Sequence, residues 1–594
     1  MSSRPLSVFE TAHHLLTHTP LKPDFRSQIL EAILLPRQLE EAWKGSIAAA
    51  EGLAIFSAFL DRLGVRWKCD VHDLDLIPRQ GPMVVVANHP FGMVEGAVLA
   101  ALLNQVRRDV KFLANSVLAA VPGADPFLIP VNPFGGAAQG NSGYLRQSLK
   151  WLRQGGVLVT FPAGEVSSLR WGKLEISDPE WNEAVGGLVR ISGAPALPVY
   201  FHGSNGPGFQ LAGLVHPRLR TALLPRELLN KRGVVVEASI GRPIAAASLT
   251  HLSDVDRTAY LRQRTHLLEA RHKPVAGWSF SLPKAPVAGA VSAQDLTKEI
   301  SGLGPGHLVT ETAEFQVWVA IAQEIPNTLR EIGRLRELSF RRAGEGTGRS
   351  LDLDRFDTTY RHLWLWNKAT SEVCGAYRMG ATGTLRRTTD LYTSTLFKFR
   401  PGLLESLHPA LELGRSFVRP EYQKSYHALL LLWKGIGAWV ARNPQYCTLF
   451  GPVSISKEYR MASRALMVSY LREHCSNPEF EGAAEPRKEF RARGSRRCDV
   501  RTLAPLLSSL DELSDAIADL EPDGKGLPVL LRQYLNLGGT VIAFNEDARF
   551  SGVVDGLVVV DLRKLPLRLL SKYLGKAGAE RFSAHHEGKL PEIR

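Results

Sequence analysis

The sequence predicts an α/β protein with two domains, and three observations indicate this. Apolar segments that start at residues 83, 155 and 194 each run into a turn that contains glycine, as buried strands of an open α/β sheet do. Residues 276–307 are rich in proline, glycine and alanine, which is typical of a linker. Beyond this linker, the pattern restarts as a helix, a β-hairpin, another strand and a second helix.

The composition allows a large core and favours anionic partners. The chain has 594 residues, of which 44% are hydrophobic, and its 72 basic and 59 acidic residues give a net charge of +13. A positive surface suits nucleic acid, anionic lipid headgroups or an acidic carrier protein, and charge alone does not choose among them. The five cysteines are scattered without Cys-x-x-Cys spacing, which predicts neither a zinc site nor a disulfide framework and fits a reducing cytoplasm.

No segment has the pattern of a signal peptide or a membrane span. The first twenty residues lack an unbroken apolar core, and no run of about twenty apolar residues occurs elsewhere. The nearest approach is residues 46–63, which predict one amphipathic helix. Such a helix either lies on a membrane surface or covers the core.

The first apolar segment leads into a candidate catalytic turn. Asn-His-Pro-Phe-Gly at 88–92 interrupts it, and a helix pattern of small residues follows to residue 103. His89 then lies at the carboxyl end of a strand, where open α/β sheets bind their ligands. Glu95, in or near the first helical turn, is placed to fix the tautomer of the imidazole, which makes His89 a candidate general base. The alternative is a histidine that only completes the turn.

The second apolar segment ends in a candidate binding loop. Pro162 and Gly164 shape a turn that brings backbone N–H groups toward an oxyanion or a phosphate. Phe161 begins this turn, and Glu165 ends it with a carboxylate that can hold a polar acceptor group. All four are predicted to contact the substrate.

Together, these segments resemble the PlsC-type glycerolipid acyltransferases. The shared order is Asn-His with an acid nearby, then Phe-Pro-x-Gly-Glu, then Leu-Pro-Val followed by glycine. Many of that family have Asp five residues after the histidine, whereas this chain has Val94 there and Glu95 next. The spacing His-Pro-x-Gly-x-x-acid-Gly resembles the bacterial branch that acylates lyso-ornithine lipid. The resemblance also places Asn132, with the backbone of Gly135 and Gly136, near the acceptor headgroup; the alternative for this glycine pair is a plain turn.

The second half has a different pattern. A helix is predicted over 324–340, a polar loop over 341–357, a hairpin from 362–366 and 372–379, a strand over 411–418 and a helix over 427–441. This succession resembles the GNAT-like N-acyltransferases. Glu-Leu-Gly-Arg at 412–415, followed by Phe-Val-Arg-Pro, resembles the branch of acyl-homoserine lactone synthases and ornithine N-acyltransferases. That resemblance implies that Glu412 accepts the amine proton and that Arg415 holds the strand or a carboxylate. Asp555 and Lys525 are weaker candidates for the same site.

The expected acyl donor is an acyl carrier protein. GNAT proteins that bind coenzyme A cradle its pyrophosphate with Gln/Arg-x-x-Gly-x-Gly/Ala, and Tyr426 occupies the first glycine position here. We therefore expect an acyl-ACP phosphopantetheine thioester as the co-substrate, with no bound cofactor and no metal.

A basic segment over residues 487–497 suits an acidic carrier or an anionic bilayer. Nucleic acid is not expected, because aromatic side chains do not interleave with these charges and no nucleic-acid-binding motif accompanies them. A solvated loop without a partner is the alternative.

The two resemblances imply a PlsC-like lyso-lipid O-acyltransferase domain over 1–275 and a GNAT-like amino-acid N-acyltransferase domain over 308–594, and the composition predicts a linker over 276–307. The expected activity is bifunctional: N-acylation of ornithine or another amino acid with a 3-hydroxyacyl chain, then esterification of the 3-hydroxyl. The expected location is the inner face of the bacterial cytoplasmic membrane, as a peripheral protein. Two alternatives are a 1-acylglycerol-3-phosphate acyltransferase with an inactive GNAT-like module, and a non-enzymatic membrane-associated binding protein.

Overall fold

The computed structural model describes residues 36–586, except for 117, 119–120, 132–141, 171–174, 216, 273–284, 386, 408, 424–426, 492–498, 549 and 551. The chain forms two compact units. The first comprises Met1–Pro274 and Gly494–Lys525, and the second comprises Val275–Arg493 and Gly526–Arg594. A segment from the second half of the sequence is therefore part of the first unit.

The first unit is built on a seven-stranded sheet with the order β1-β9-β8-β2-β5-β3-β4. All neighbouring strands are parallel except β8 and β9. The short strands β6 and β7 form a separate hairpin. The strands of this unit are β1 Arg66–Cys69, β2 Met83–Ala87, β3 Val110–Asn115, β4 Leu128–Val131, β5 Val157–Thr160, β6 Ser168–Arg170, β7 Glu175–Ser177, β8 Ala196–His202 and β9 Val235–Ile240.

The three strands predicted from apolar segments are β2, β5 and β8, and they are adjacent at the centre of the sheet. Every residue of β2 and β5 is buried, which explains why these segments are continuously apolar rather than alternating. Because the three strands are parallel, the turns that follow them meet at one edge of the sheet. This edge carries the turn with His89 and the loop that starts at Phe161.

The α-helices of the first unit cover its sheet. They are Pro36–Ala49, Ala54–Leu63, Val71–Leu74, Val94–Leu103, Ser142–Arg153, Ala184–Ser192, Pro207–Val215, Pro217–Leu229, Asp254–Leu267, Val500–Leu503 and Leu510–Leu520. The single helix predicted over 46–63 is wrong, because the chain breaks there into two helices. Gly52 causes this break, since its φ of +59° is a left-handed conformation that ends a helix and suits glycine.

The second unit contains an eight-stranded sheet with the order β10-β11-β12-β13-β15-β16-β19-β18. Neighbouring strands are antiparallel except β15 and β16, which pair in parallel over only three residues, Ala410–Glu412. The strands of this unit are β10 Leu308–Glu311, β11 Phe315–Ile321, β12 Arg361–Asn367, β13 Glu372–Ala381, β14 Phe397–Phe399, β15 Ala410–Val418, β16 Thr448–Ile455, β17 Ala484–Pro486, β18 Thr540–Asp547 and β19 Val553–Asp561.

The predicted succession in this unit is present, with element ends shifted by two residues at most. The α-helices are Ala293–Ser301, Pro326–Arg342, Leu403–Leu407, His427–Arg442, Met461–His474, Val529–Asn536, Leu567–Leu574 and Lys576–His586. The first of these lies inside the region predicted as linker. It forms because Ser292 caps its first turn, and because Leu296 and Ile300 are buried in the core of the second unit.

Candidate active sites

His89 and Glu95 form a pair in the first unit. His89 lies in the turn after β2, and Glu95 is in the first turn of the helix Val94–Leu103. Nδ1 of His89 is 2.9 Å from Oε1 of Glu95, whose side chain is fully buried. The same oxygen accepts hydrogen bonds from the backbone N–H groups of Phe91 (2.9 Å) and Gly92 (2.8 Å). The turn and the helix thus converge on one carboxylate oxygen.

The charges around this pair favour an ionised Glu95. Burial alone would raise the pKa of the Glu95 carboxyl, but the His89 ring and the N–H of Gly92 outweigh burial and lower that pKa. An ionised Glu95 holds the proton of the imidazole on Nδ1, the nitrogen that faces it. Nε2 of His89 is then free to accept a proton, as a general base must.

The loop after β5 lies against this pair. The Phe161 ring is 4.6 Å from the His89 ring, between centroids, with a tilt of 30°. Pro162 is buried, and its carbonyl accepts a hydrogen bond from Asn182. The N–H of Gly164 closes the turn by donating to the Phe161 carbonyl, so that amide is already used within the loop. Glu165 is exposed, and Asn132, Gly135 and Gly136 lie outside the described residues.

Three more polar residues lie at this edge, and of these Asn88 belongs to the Asn-His motif, whereas Lys231 and Asp178 have no signal in the sequence. Asn88 joins β2 to β8, because its side chain donates to and accepts from the backbone of Phe201 at 3.0 and 2.7 Å. Lys231 is 8% exposed, and its Nζ lies 4.6 Å from the Phe91 ring centroid. Burial lowers the pKa of Lys231. Asp178, 1% exposed, accepts hydrogen bonds from the turn that carries His89.

Glu412 is a buried anchor in the second unit. Its side chain is on β15 and the residue is 1% exposed. One carboxylate oxygen accepts from the Tyr360 hydroxyl and from the N–H of Tyr392, and the other accepts from the N–H of Thr393 at 2.7 Å. Glu412 therefore holds the short helical turn Tyr392–Thr395.

Arg415 lies three residues along the same strand. Its guanidinium stacks between the rings of Tyr392 and Phe550, with centroids at 5.1 and 4.9 Å. Its nitrogens are 3.6 Å from a carboxylate oxygen of Asp352 and 3.7 Å from one of Asp354. The φ of Arg415 is +48°, and the register between β13 and β15 shifts next to it, so this arginine lies at a strained bulge.

The rest of this charged cluster was not predicted from the sequence. Arg378 is 2.6 Å from Asp354 and 3.3 Å from Asp357, and Arg336 is 3.1 Å from Asp357. These aspartates come from the segment Leu-Asp-Leu-Asp-Arg-Phe-Asp at 351–357, which the pattern assigns to a polar loop. The signal that could have found them is the alternation of acids with large apolar residues, which is unusual in a solvated loop.

Asp555 adds a titratable group near this cluster. It faces Ser454 across β16 and β19, and the Ser454 hydroxyl donates to it at 2.6 Å. Burial raises the pKa of Asp555 to about 7, although Arg415 nearby lowers it. Burial also raises the pKa of Glu345 to about 7. Lys525, the other weak candidate for this site, belongs to the first unit.

Two structural features are absent from the described residues. Among the described residues, no helix is long and apolar enough to cross a membrane. Within the same part of the chain, no three His, Cys, Asp or Glu side chains group closely enough to hold a metal ion.

The comparisons with known proteins match both halves of the chain. The family described as Acyltransferase matches residues 54–272, and the family described as Acetyltransferase (GNAT) domain matches residues 335–434. A glycine N(alpha)-acyltransferase from Bacteroides thetaiotaomicron is 32% identical over 251 residues, which are 40% of this chain and 73% of that protein. The chain belongs to the family of aminolipid acyltransferases. The predicted combination of a PlsC-like domain with a GNAT domain is confirmed.

Two further relatives represent the two kinds of activity. A lyso-glycine lipid O-acyltransferase from Phocaeicola vulgatus is 27% identical over 188 residues, which are 30% of this chain and 64% of that protein. An L-ornithine N(alpha)-acyltransferase from Brucella abortus is 27% identical over 242 residues, which are 38% of this chain and 75% of that protein. This aminolipid acyltransferase therefore resembles, within one chain, proteins named for N-acylation and for O-acylation.

Proposed function

We propose that this aminolipid acyltransferase catalyses both acylations of a diacylated aminolipid. The second unit attaches a 3-hydroxyacyl chain to the α-amino group of an amino acid, and the first unit esterifies the 3-hydroxyl of that product. The observation that carries the proposal is the His89–Glu95 pair at the strand ends, with its fully buried carboxylate, in a chain that also resembles amino-acid N-acyltransferases. The O-acyltransferase relative supports the second step.

The geometry of the first unit supports a general-base mechanism for the ester. Nε2 of His89 takes the proton of the 3-hydroxyl while the hydroxyl oxygen attacks the thioester carbonyl. Glu95 stabilises the imidazolium that forms, because its ionised carboxylate is 2.9 Å from Nδ1. The tetrahedral intermediate then expels the thiolate of the donor, and this thiolate takes the proton from His89. The ester forms, the thioester breaks and no metal takes part.

The second unit forms an amide in the same way. The neutral amine nitrogen attacks a thioester carbonyl and loses one proton to a base, the C–S bond breaks, and the base passes that proton to the departing thiolate. Glu412 is the base that the family resemblance implies, but both of its oxygens already accept hydrogen bonds. Asp555 is a second candidate, because its pKa of about 7 suits proton transfer near neutrality.

Ornithine is the amino acid that the motif resemblance favours, and glycine is a second candidate. The relative named as a glycine N(alpha)-acyltransferase is 32% identical, and the one named as an L-ornithine N(alpha)-acyltransferase is 27% identical. The two products differ in side chain and in charge. Mass spectrometry of the lipid headgroup therefore distinguishes them directly.

The test is to express the chain in a host that lacks aminolipids and to examine lipid extracts. A new phosphorus-free, ninhydrin-positive lipid supports the proposal. His89→Ala should accumulate the monoacylated lipid, whereas Glu412→Gln should abolish both lipids but still esterify added lyso-lipid. If purified protein acylates lysophosphatidic acid and no aminolipid forms, the glycerolipid alternative replaces the proposal. If neither reaction consumes thioester, the alternative of a non-enzymatic binding protein replaces the proposal.

The donor proposed for both steps is an acyl carrier protein. Tyr426, which occupies the glycine position of the pyrophosphate cradle in the sequence, lies outside the described residues. Acyl-ACP should be consumed much faster than acyl-coenzyme A by the amine step. Equal rates with the two donors would remove the reason for this choice.

The basic segment 487–497 is proposed to bind an anionic surface, either the carrier or the inner face of the cytoplasmic membrane. Of its described residues, Lys488 is bound to Glu546 at 2.6 Å, and Arg491, whose side chain is 87% exposed, lies 3.7 Å from Glu489. Charge reversal at Arg491, Arg493, Arg496 and Arg497 should weaken binding to anionic vesicles or to carrier protein, most strongly at low salt. Unchanged vesicle recovery and activity at low ionic strength would contradict this role.

A further inference from the structure

Asp178 is a buried carboxylate that the acyl-transfer mechanism does not use. It directly follows β7 and is 1% exposed. A carboxylate in such a place is costly unless several donors bind it. The donors here are the Ser167 hydroxyl, the N–H of His89 at 3.3 Å and the indole N–H of Trp181 at 3.2 Å.

The donors to Asp178 come from two loops that carry sequence motifs. His89 belongs to the turn after β2, and Ser167 belongs to the loop after β5 that begins at Phe161. Oδ1 of Asp178 accepts from both. Ser167 also donates its own backbone N–H to the carbonyl of His89 at 2.8 Å. The three residues therefore form a closed ring of hydrogen bonds.

This ring fixes the backbone of His89 on both sides. The backbone N–H of His89 is held by Asp178 and its backbone C=O by Ser167, while Glu95 holds the imidazole through Nδ1. The direction of Nε2 depends on the backbone angles of His89 as well as on the side chain. A displacement of about 1 Å at a reacting atom can lower a rate about 100-fold, so a loosened turn has a direct catalytic cost.

We propose that Asp178 is a positioning residue for O-acyl transfer, which acts by locking the His89 turn to the loop after β5. This proposal rests on the proposed function of the first unit. Asp178 does not contact the reacting atoms. Its effect reaches the reaction through the backbone of His89.

The test compares steady-state esterification of lyso-lipid by purified full-length variants. Asp178→Ala removes the acceptor for the His89 N–H, and we expect kcat to fall about 100-fold while KM changes less than about threefold. Asp178→Asn keeps one acceptor oxygen, so it should recover to within about tenfold of wild type. Trp181→Phe removes only the bond to the other oxygen and should leave kcat within about threefold.

A double variant sharpens the test. In Asp178→Asn, the amide NH₂ faces the indole N–H of Trp181, and two donors oppose each other. Replacing Trp181 by Phe removes that conflict, so Asp178→Asn with Trp181→Phe should be more active than Asp178→Asn alone. A structural role without positioning would predict the opposite, because the double variant loses more packing.

Each outcome supports or overturns the positioning role of Asp178. Wild-type kcat in a folded Asp178→Ala protein overturns the proposal, and so does a folded Asp178→Asn protein as inactive as His89→Ala. If Asp178→Ala does not fold, which circular dichroism shows, the Asn and double variants decide. Failure of the proposed function is separate, since wild-type protein would then not esterify lyso-lipid at all.

Discussion

The inserted segment Gly494–Lys525 should be essential to the stability of the first unit, and Asp519 tests this. Asp519 is on the helix Leu510–Leu520 and its side chain is 1% exposed. It accepts a hydrogen bond from Arg264 at 2.7 Å and from the backbone N–H of Arg242 at 2.9 Å. The Arg264 side chain is 2% exposed, and no other carboxylate in the described residues is within 4.0 Å of it.

Asp519→Ala would leave the Arg264 guanidinium buried without a counter-charge. Removing one partner of a buried ion pair costs about 3–5 kcal/mol. For a unit of this size, each kcal/mol of lost stability lowers the melting temperature by roughly 2 °C. The expected decrease is therefore roughly 6–10 °C. Asp515→Ala is a matched control from the same helix, because Asp515 is 61% exposed and 4.0 Å from Arg242. Surface pairs of that kind contribute about 0–1 kcal/mol.

The assay is thermal unfolding of the full chain, followed through calorimetry and loss of lyso-lipid esterification. Asp519→Ala should lower the transition that coincides with loss of esterification, and Asp515→Ala should not. A truncated protein that ends at residue 274 should show no stable esterification activity, because it lacks the whole segment. Equal melting temperatures for the two alanine variants, or a stable and active truncation, would refute the reasoning.

Three further predictions concern the sites. Gly92→Ala should lower esterification at least about tenfold, because the φ of Gly92 is +95° and an added Cβ would lie 2.5 Å from Leu224. Gly96→Ala is the control and should keep its activity, because the space around an added Cβ is open there. Equal activities of the two variants would contradict this. Glu95→Asp should lower the same activity partially, since the carboxylate retreats by one methylene, and Glu95→Ala should approach the level of His89→Ala; full activity in Glu95→Ala would separate Glu95 from the mechanism. Asp555→Asn should make stability less dependent on pH. The pKa of Asp555 in the folded protein, about 7, exceeds its unfolded value, so the wild type loses up to roughly 4 kcal/mol of stability as pH rises from about 4 through 7. Asn does not ionise, so the variant lacks this loss. Urea unfolding at pH 5 and pH 8 measures the difference, and an unchanged pH dependence would contradict the prediction.

The sequence predicted those parts of the fold and site that depend on local pattern. The strands β2, β5 and β8, the turn with His89 and each single element around β15 are encoded by short local segments. Asp178 and the segment with Asp519 could not be found in this way. Their roles depend on partners that are distant in sequence, such as Arg264 for Asp519. A composition shift marks a linker, but it does not show that a later helix returns to the first unit.

The two glutamates of the motifs show why residue type alone does not assign a chemical role. Glu95 contacts the His89 ring through one oxygen, and its other oxygen has no hydrogen-bond partner in the described part of the chain. The oxygen that faces His89 also accepts from the N–H groups of Phe91 and Gly92, so the carboxylate is held with its charge toward the group that must become an imidazolium. Glu412 is equally buried, but its oxygens accept from a tyrosine hydroxyl and two backbone N–H groups.

These environments imply different responses to the same substitution. Replacing Glu412 by Gln leaves the N–H donors an acceptor but puts an NH₂ group against one of its present donors, so the turn Tyr392–Thr395 should loosen. Loss of amine acylation in that variant would then follow from a displaced Tyr392 and a freed Arg415, since these two side chains stack. Asp555→Asn leaves that turn intact. Comparing the two variants under the same conditions therefore separates the loss of a base from the loss of the architecture around it.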